Sequence, residues 1–413
     1  MSNTLLPLGS SIGILGGGQL GRMIAMSCIE LGYKSFVYCP KGDNPAVEVS
    51  SQHIIGDWNN DLLLNKFISS VDAVTIEFEN IPIEVIQKVE KQLLVYPNSK
   101  VLSTSQYRPH EKKYAKLSGI DVPRWWLINS KNDLEFAMNE LDGEGILKTT
   151  SFGYDGKGQL KISKRDTPNK IWETIKGKEF ILEEFVNFNS EISFLICRRK
   201  NKEFCIFPPT ENKHKDGILN KSKAPADLSE ETWLSGAAKV SKLAEDLELN
   251  GLLAVEFFLL ENGKLLFNEM APRPHNSFHW TMDGLLCSQF NQLVRCITGI
   301  PFGDVSISSS WEMINLLSEN FSDLTKYYSE KNKIYLYNKN GDLFFFLSVI
   351  YLFSAKLSVI FPAGFRISYL FAPFFVVSLT YLFQLSISDH SEHVRHRRQD
   401  TQKDATDAKV EDL

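Results

Sequence analysis

The sequence lacks the features of several common protein classes. Its 413 residues carry 45 Lys and Arg against 50 Asp and Glu, so it has no basic excess with which a general nucleic-acid-binding protein neutralises phosphates. Its six cysteines include no C-x-x-C pair, which argues against a disulfide framework or a cysteine zinc site and favours a reducing compartment. The N-terminus has no basic segment followed by a long apolar run, so we expect no signal peptide and a cytoplasmic location.

The first hundred residues alternate strand-like and helix-like patterns. Strands are predicted at 11–15, 34–39 and 71–76, and an apolar helix at 20–31. This alternation indicates a doubly wound parallel sheet in an α/β protein. A linking helix is predicted within 106–123, and a strand-rich region with helices at 234–247 and 287–298 follows it. The resulting division is a first domain at 1–105, a second at 106–300 with subdomains at about 125–190 and 191–300, a small domain at 301–342, an apolar segment at 343–388 and a polar tail at 389–413.

The apolar segment is unlike the rest of the chain. It contains no acidic residue between Leu343 and Ser388, and ten of the 28 phenylalanines. Its runs 343–361 and 367–387 each approach the ~20 residues of a membrane-spanning helix. Three hypotheses compete: a membrane anchor of one or two helices, a packed extension, or a translated non-native reading frame, which is favoured. The polar tail is expected to be disordered.

Two glycine-rich motifs are candidates for binding phosphate. Residues 16–21 spell G-x-G-x-x-G between a predicted strand and helix, where backbone amides can meet a phosphate. The second strand ends in Cys39-Pro40-Lys41, without the acidic residue of a dinucleotide site, so a plain phosphate site or a tight turn is favoured. The second motif, at 153–159, can close over a polyphosphate with Lys157 and Lys148, although taken alone it is more typical of an ordinary hairpin loop.

A predicted hairpin places two carboxylates opposite each other. Asn262-Gly263 favours a two-residue type I′ turn, which pairs Glu261 with Lys264 and Glu256 with Glu269. Facing carboxylates repel, and a magnesium ion between them would compensate, with Asn268 as a further oxygen ligand. The alternatives are that both glutamates are solvated at a mobile edge, or that a bulge shifts the register.

Two further segments carry polar groups suited to a binding site. The loop after the hairpin brings Arg273, His275 and Asn276 beside the carboxylates, and Arg273 suits a carboxylate, bicarbonate or phosphate. Residues 183–186 and Glu191 are compatible with a hinge that contacts adenine and ribose, or with a charged turn.

Together these motifs resemble the ATP-grasp superfamily and, within it, the 5-(carboxyamino)imidazole ribonucleotide synthases of purine biosynthesis. The matching strings are ILGGGQLGRM (14–23), EFENIP (77–82), GYDGKGQ (153–159), LLAVEFF (252–258) and NEMAPRPHNS (268–277). They occur in the same order and spacing over about residues 11–339. The resemblance implies an ATP-grasp fold preceded by a doubly wound pre-ATP-grasp domain.

The resemblance also implies roles for individual residues. The implied ATP-binding residues are Arg108, Lys148, Gly153, Tyr154, Asp155, Gly156, Lys157, Gly158, Gln159, Glu183, Glu184, Phe185, Val186, Glu191, His214, Asn268 and Glu269. The implied metal ligands are Glu256, Glu269 and Asn268; the implied substrate-binding residues are Gln19, Asp155, Arg273, His275, Asn276 and Lys339; and the implied catalytic residues are Asp155, Lys157, Arg273 and His275.

The implied activity is an ATP- and bicarbonate-dependent carboxylation of 5-aminoimidazole ribonucleotide that releases ADP and phosphate and requires Mg²⁺. The family further implies a homodimer, small-molecule substrates, no nucleic acid, and a separate mutase for the product. The alternatives are another ATP-grasp ligase, or a membrane-tethered ATP-binding protein without synthase activity.

The sequence departs from the family pattern at three places. Thr150 replaces a common arginine, and Phe278 replaces a glycine, where its bulk is expected to narrow the site beside His275. The basic C-terminal segment that helps to hold the substrate phosphate is missing after Lys339, and the apolar segment begins instead.

Overall fold

The structure is a computed structural model that describes residues 5–151, 158–316, 328, 332–336, 347–353, 356–360 and 366–370. It divides into two units, residues 1–352 and 353–413, which are described separately.

A parallel sheet forms the first part of unit 1. Its strands are β1 (Ser11–Leu15), β2 (Lys34–Cys39), β3 (Gln52–Ile55), β4 (Ala73–Ile76) and β5 (Val95–Tyr96), in the order β3-β2-β1-β4-β5. Its helices are α1 (Gln19–Glu30), α2 (Asp61–Ile68) and α3 (Ile83–Glu90). The central strand reads as a continuous apolar run because both of its faces are covered. The predicted doubly wound sheet is therefore confirmed.

Two helices then lead out of this sheet. They are α4 (Ser99–Ser105) and α5 (Arg108–Leu117). The side chain of Asn98 accepts a hydrogen bond from Val101 N and caps α4. The inward face of α5 is charged: Arg108, Glu111 and Lys112 are all buried. This helix supplies part of the site described below.

A four-stranded antiparallel sheet follows. Its strands are β6 (Trp125–Ile128), β7 (Gly145–Thr149), β8 (Gln159–Ile162) and β9 (Phe180–Glu183), in the order β6-β9-β7-β8. Helices α6 (Lys131–Glu140) and α7 (Pro168–Ile175) pack on it, and Ser130 and Asp133 form a capping box at the start of α6. The predicted hairpin around the second glycine motif is confirmed by the pairing of β7 with β8.

A larger antiparallel sheet carries the carboxylate hairpin. Its strands are β10 (Ser190–Arg198), β11 (Phe204–Ile206), β12 (Thr210–Lys215), β13 (Ile218–Ala224), β14 (Gly251–Leu259), β15 (Leu265–Ala271), β16 (Ser310–Leu316), β17 (Asn332–Leu336) and β18 (Leu347–Phe353). The order is β15-β14-β10-β12-β13-β16-β18-β17, and β11 pairs with β10. Helices α8 (Glu230–Asp246), α9 (Thr281–Gly284) and α10 (Gln289–Thr298) accompany it. Val255 and Phe257 face α8 in a buried cluster, so Glu256 between them points to the opposite face.

Unit 2 contains a two-stranded antiparallel hairpin of β19 (Lys356–Ile360) and β20 (Arg366–Leu370). The described residues of the two apolar runs are strands, which does not support the hypothesis of a membrane anchor, one of the three considered for this segment. In the described part of the chain, no helix is both long and apolar enough to cross a membrane. Residues 371–387 of the second run and the tail 389–413 lie outside the described residues.

Candidate active site

The facing of Glu256 and Glu269 is confirmed, but by a different route from the expected one. Leu260 N donates to Lys264 O and Gly263 N to Leu260 O, so the loop has three residues instead of two. Gly263 takes a left-handed conformation at φ 78°, as in a type I turn with a bulge. The predicted pairing of Glu261 with Lys264 is therefore wrong.

A second irregularity restores the expected register. Phe257 pairs with Phe267 while Glu256 pairs with Glu269, so Asn268 is an extra, bulged residue in β15. The bulge compensates for the longer turn and sets the two glutamates directly opposite each other. It also turns Asn268 towards Lys148, whose Nζ lies 3.4 Å from Oδ1.

The two facing carboxyl groups differ in their electrostatics. Burial, followed by the charge of Glu269, raises the pKa of Glu256 to about 7. Burial also favours the neutral form of Glu269, but Arg108 and Lys148 outweigh it and hold the pKa of that carboxyl below its usual value. The Arg108 guanidinium lies 3.2 Å from Glu269 Oε2. When both carboxyl groups are ionised they repel each other, and a cation bound between them would reduce this repulsion.

The donor set fits a hard divalent cation such as Mg²⁺. Two carboxylates and one amide oxygen are oxygen ligands, and magnesium is normally held by one or two carboxylates together with substrate phosphates. Within the described residues, no group of three or more His, Cys, Asp or Glu side chains is arranged to hold a metal ion. The residues present thus suit a metal that a phosphate ligand shares, and not a metal caged by protein alone.

Two buried lysines share the carboxylate of Glu183. Lys148 at the end of β7 is buried, and its Nζ lies 3.0 Å from Glu183 Oε2. The other oxygen of Glu183 lies 2.9 Å from Lys112 Nζ. Burial opposes ionisation of Glu183, but the two lysines lower the pKa of this carboxyl to about 2. Glu183 is thus a buried anion that binds lysines, and it does not line the cavity described below.

The loop after β15 brings an arginine and a histidine to the same place. Arg273 forms a bidentate pair with Glu79, with Nη2 2.9 Å from Oε1. His275 Nδ1 lies 2.9 Å from Ser277 Oγ, and Nε2 lies 3.5 Å from Glu256 Oε1. Burial and the charge of Arg273 lower the pKa of His275 to about 3, so this ring is neutral. The segment that contains EFEN therefore supplies a partner that sequence reasoning did not assign.

His214 and Glu191 form a second pair across the cavity. His214 Nδ1 lies 2.5 Å from Glu191 Oε2. Burial opposes a charge on this ring, but the hydrogen bond to Glu191 and the negative charge of Glu256 raise its pKa to about 9. At neutral pH this site therefore presents a histidinium–carboxylate pair.

One cavity of about 300 Å³ collects most of the predicted residues that the structure describes. Its predicted wall residues are Arg108, Lys148, Gln159, Glu191, His214, Glu256, Asn268, Glu269, Arg273, His275 and Asn276. Sequence reasoning missed Glu79, Asn80, Ser105, Gln106 and Glu111, which also line it. These residues lie between β4 and α3, at the end of α4 and in α5, and they gave no signal of burial because polar residues are ordinarily exposed.

Several other predicted residues lie elsewhere or outside the described chain. The predicted residues away from the cavity wall are Gln19, Gly158, Glu183, Glu184, Phe185 and Val186. Glu184 accepts hydrogen bonds from Arg124 N and Nε, and Phe185 is half-exposed beneath Lys161. The predicted residues that lie outside the described part are Gly153, Tyr154, Asp155, Gly156, Lys157 and Lys339. Their assignments stay predictions.

The first glycine motif holds a carboxylate. Glu77 accepts hydrogen bonds from Gly18 N at 2.8 Å and Gly21 N at 3.4 Å. A Cβ at Gly18 would lie 2.7 Å from Glu77 Oε1, which explains the glycine there. The buried Oε1 of Gln19 meets no hydrogen-bond donor within the described residues. A carboxylate in this turn suits a ligand hydroxyl better than a bare phosphate, which it would repel.

The expected narrowing of the site by Phe278 does not occur. Its side chain is fully buried and packs edge-on against Phe207, with 6.3 Å between the ring centroids. It does not line the cavity. Apolar area favours the core over a polar cavity.

Comparison with known proteins identifies the family. The model of the ATP-grasp domain matches residues 113–290, and that of the ribonucleotide synthetase preATP-grasp domain matches 10–106. The N5-carboxyaminoimidazole ribonucleotide synthase of Brucella melitensis is 38% identical over 342 residues, which are 82% of this chain and 94% of that protein. The chain belongs to the N5-carboxyaminoimidazole ribonucleotide synthase family.

Other members of the synthase family agree. The Bacillus subtilis synthase is 36% identical over 82% of this chain and 90% of its own length. A solved ADP complex of an N5-carboxyaminoimidazole ribonucleotide synthetase has a TM-score of 0.80 at 34% identity and covers 94% of this chain and all of that one. The synthetase from Thermus thermophilus has a TM-score of 0.77 at 33% identity, covering 83% and 93%. The expected family and its fold class, a pre-ATP-grasp domain followed by an ATP-grasp domain, are confirmed.

Proposed function

We propose that this chain is an ATP-grasp ligase that carboxylates 5-aminoimidazole ribonucleotide with bicarbonate and converts ATP to ADP and phosphate. Family membership is the observation that carries the proposal, because the matched relatives are named as this synthase and the match covers nearly their whole length. The synthetase of Staphylococcus aureus, 28% identical with a TM-score of 0.78, is solved in complex with ADP. A cavity that sets two cations beside two facing carboxylates supports a nucleotide phosphate as its occupant.

The nucleotide would lie between the two antiparallel sheets. Arg108 and Lys148 are placed to counter phosphate charge, while Glu191 and His214 face the cavity from β10 and β12. Glu256, Glu269 and Asn268 would hold Mg²⁺, which when bound would neutralise phosphate oxygens. Lys157 in the glycine loop is proposed as a further phosphate contact.

The acceptor would lie on the side of the first sheet. Arg273 offers a guanidinium for bicarbonate, held in place by its bidentate pair with Glu79. His275 and Asn276 border the same space, and the carboxylate of Glu77 suits ribose hydroxyls. Gln19, Asp155 and Lys339 are proposed as substrate contacts.

The proposed chemistry has two steps. A bicarbonate oxygen attacks the γ-phosphorus and ADP leaves, which forms carboxyphosphate. The exocyclic amine then attacks the carboxyl carbon of carboxyphosphate, and phosphate leaves. The amine loses a proton, for which Asp155 is the proposed acceptor. Arg273 and Lys148 hold the anions close together, and a dry cavity protects the mixed anhydride from water.

Three features of the setting are proposals from the family. They are a homodimer, a separate mutase that takes the product, and a cytoplasmic location.

Phosphate release from ATP tests the proposed function. We expect the full chain with magnesium and bicarbonate to release phosphate many times faster when 5-aminoimidazole ribonucleotide is added. Activation by a different amine or acid would instead indicate another ATP-grasp ligase, and ATP binding without any activation would indicate a binding protein. The variant Glu269→Gln serves as the inactive reference.

A further inference from the structure

Lys112 is a buried cation that no part of the proposed reaction uses. It lies in α5, its side chain is 1% exposed, and it does not line the cavity. Its Nζ lies 2.9 Å from Glu183 Oε1 and 5.8 Å from the centre of the Phe267 ring. Because burying an ammonium group is costly, a lysine at this position needs a compensating role.

The carboxylate of Glu183 is shared between two lysines. Its Oε1 faces Lys112, and its Oε2 lies 3.0 Å from Lys148 Nζ. Two lysines thus share one carboxylate, so Glu183 can neutralise only one of them. Of the two, Lys148 is the one that reaches the cavity wall.

We propose that Lys112 is a positioning residue that neutralises Glu183 and thereby leaves the charge of Lys148 available to an anionic ligand in the cavity. The inference rests on the proposed function, since the anion is the polyphosphate of a nucleotide. Without the charge of Lys112, Glu183 binds Lys148 alone and cancels its field. Lys112 therefore acts through Lys148 and never touches the nucleotide.

A purely structural role makes a different prediction. If Lys112 only fills space against Phe267 and ties α5 to β9, its loss lowers stability and leaves nucleotide affinity intact. If it frees Lys148, the loss appears in affinity. The variant Lys112→Met keeps most of the side-chain volume and removes the charge.

Calorimetric titration of the full chain with ADP and magnesium separates these roles. We expect Lys112→Met to weaken ADP binding about tenfold, equivalent to about 1.4 kcal/mol. In the phosphate-release assay it should raise KM for ATP by a similar factor and change kcat less than threefold. Lys112→Arg, which keeps the charge, should recover most of the affinity. The matched control is Lys113→Met, the exposed neighbour on the same helix, which should bind ADP as the unmodified chain does.

The double variant Lys112→Met with Glu183→Gln keeps the test decisive if the single variant does not fold. It removes both members of the ion pair, which is better tolerated than removal of one. With no carboxylate left to hold Lys148, ADP affinity should return to within about threefold of the unmodified chain. Unchanged ADP affinity in Lys112→Met, or a folded double variant as weak as the single one, would overturn the role of Lys112. Failure of the unmodified chain to bind ADP would instead contradict the proposed function.

Discussion

Replacing Glu256 by glutamine should stabilise the metal-free protein and remove its stabilisation by magnesium. Glu256 lies directly opposite Glu269 in the β14–β15 pair. Two unit charges about 5 Å apart repel by ~3 kcal/mol at an effective dielectric constant of about 20. Arg108 and Lys148 offset part of this repulsion, so we expect a gain of about 1–2 kcal/mol.

Thermal denaturation at pH 8 in a chelator measures this gain. Glu256, whose pKa is raised to about 7 by burial and by Glu269, is mostly ionised at pH 8, so the repulsion is present. Its destabilising contribution is absent below the ordinary value of 4.5, grows as the pH rises from 4.5 towards about 7, and is fully present above that value. The midpoint of Glu256→Gln should rise by roughly 1–3 °C in a chain of this size, because the entropy of unfolding is about 2.1 cal/mol/K per residue.

Magnesium should stabilise the unmodified protein more than it stabilises Glu256→Gln. At a concentration of about 100 times the dissociation constant, a bound ion stabilises the unmodified protein by ~2.7 kcal/mol, and the glutamine variant should gain far less. Glu261→Gln, an exposed change in the turn of the same hairpin, should behave as the unmodified chain does. A metal-free Glu256→Gln protein that melts lower, with its magnesium shift intact, would refute the reasoning.

Three further predictions concern stability. Gly18→Ala should cost about 1–3 kcal/mol in urea denaturation because its Cβ would lie 2.7 Å from Glu77 Oε1, whereas Gly42→Ala, with nothing within 4 Å, should cost far less; equal losses would contradict the account of the glycine turn. Burial opposes the charge of Glu183, but two lysines lower its pKa to about 2, so its contribution to the free energy of unfolding is present above pH 4.5 and is lost as the pH falls towards 2. Between pH 5 and pH 3 the unmodified chain should therefore lose about 2 kcal/mol of stability that Glu183→Gln does not lose. Equal losses in the two proteins would show that this carboxyl is not responsible. Phe278→Ala should cost about 3–5 kcal/mol yet leave KM for the ribonucleotide within twofold, since the ring is buried away from the cavity; a large change in KM would place it in the site.

The facing carboxylates show how a sequence pattern can predict a contact through compensating errors. Asn262-Gly263 indicates a hairpin, but the choice between a two-residue and a three-residue loop depends on distant groups. Gly263 O accepts from Thr232 Oγ1, and Phe267 N donates to Asp121 O. These contacts belong to the packed protein and leave no trace in the local pattern. The bulge at Asn268 reversed the resulting offset.

The charged face of α5 shows where pattern reasoning fails. Alternating strand-like and helix-like segments predicted the first sheet well, because burial there follows hydrophobicity. In α5 the buried residues include Glu111 and Lys112, which composition assigns to solvent. Their burial depends on partners more than 65 residues away, such as Glu183 and the backbone N–H of Met270, which donates to Glu111. Only the three-dimensional fold brings these groups together.

Transfer of isotope from bicarbonate to the amine tests the central claim most directly. The full chain would be incubated with 13C-bicarbonate, ATP, magnesium and 5-aminoimidazole ribonucleotide, and the carbon signals followed by NMR. We predict a carbamate carbon signal that appears only with ATP and grows one for one with ADP. ADP formation without a labelled carbamate, or no ADP at all although the chain binds the nucleotide, would contradict the proposal that this chain is a working synthase.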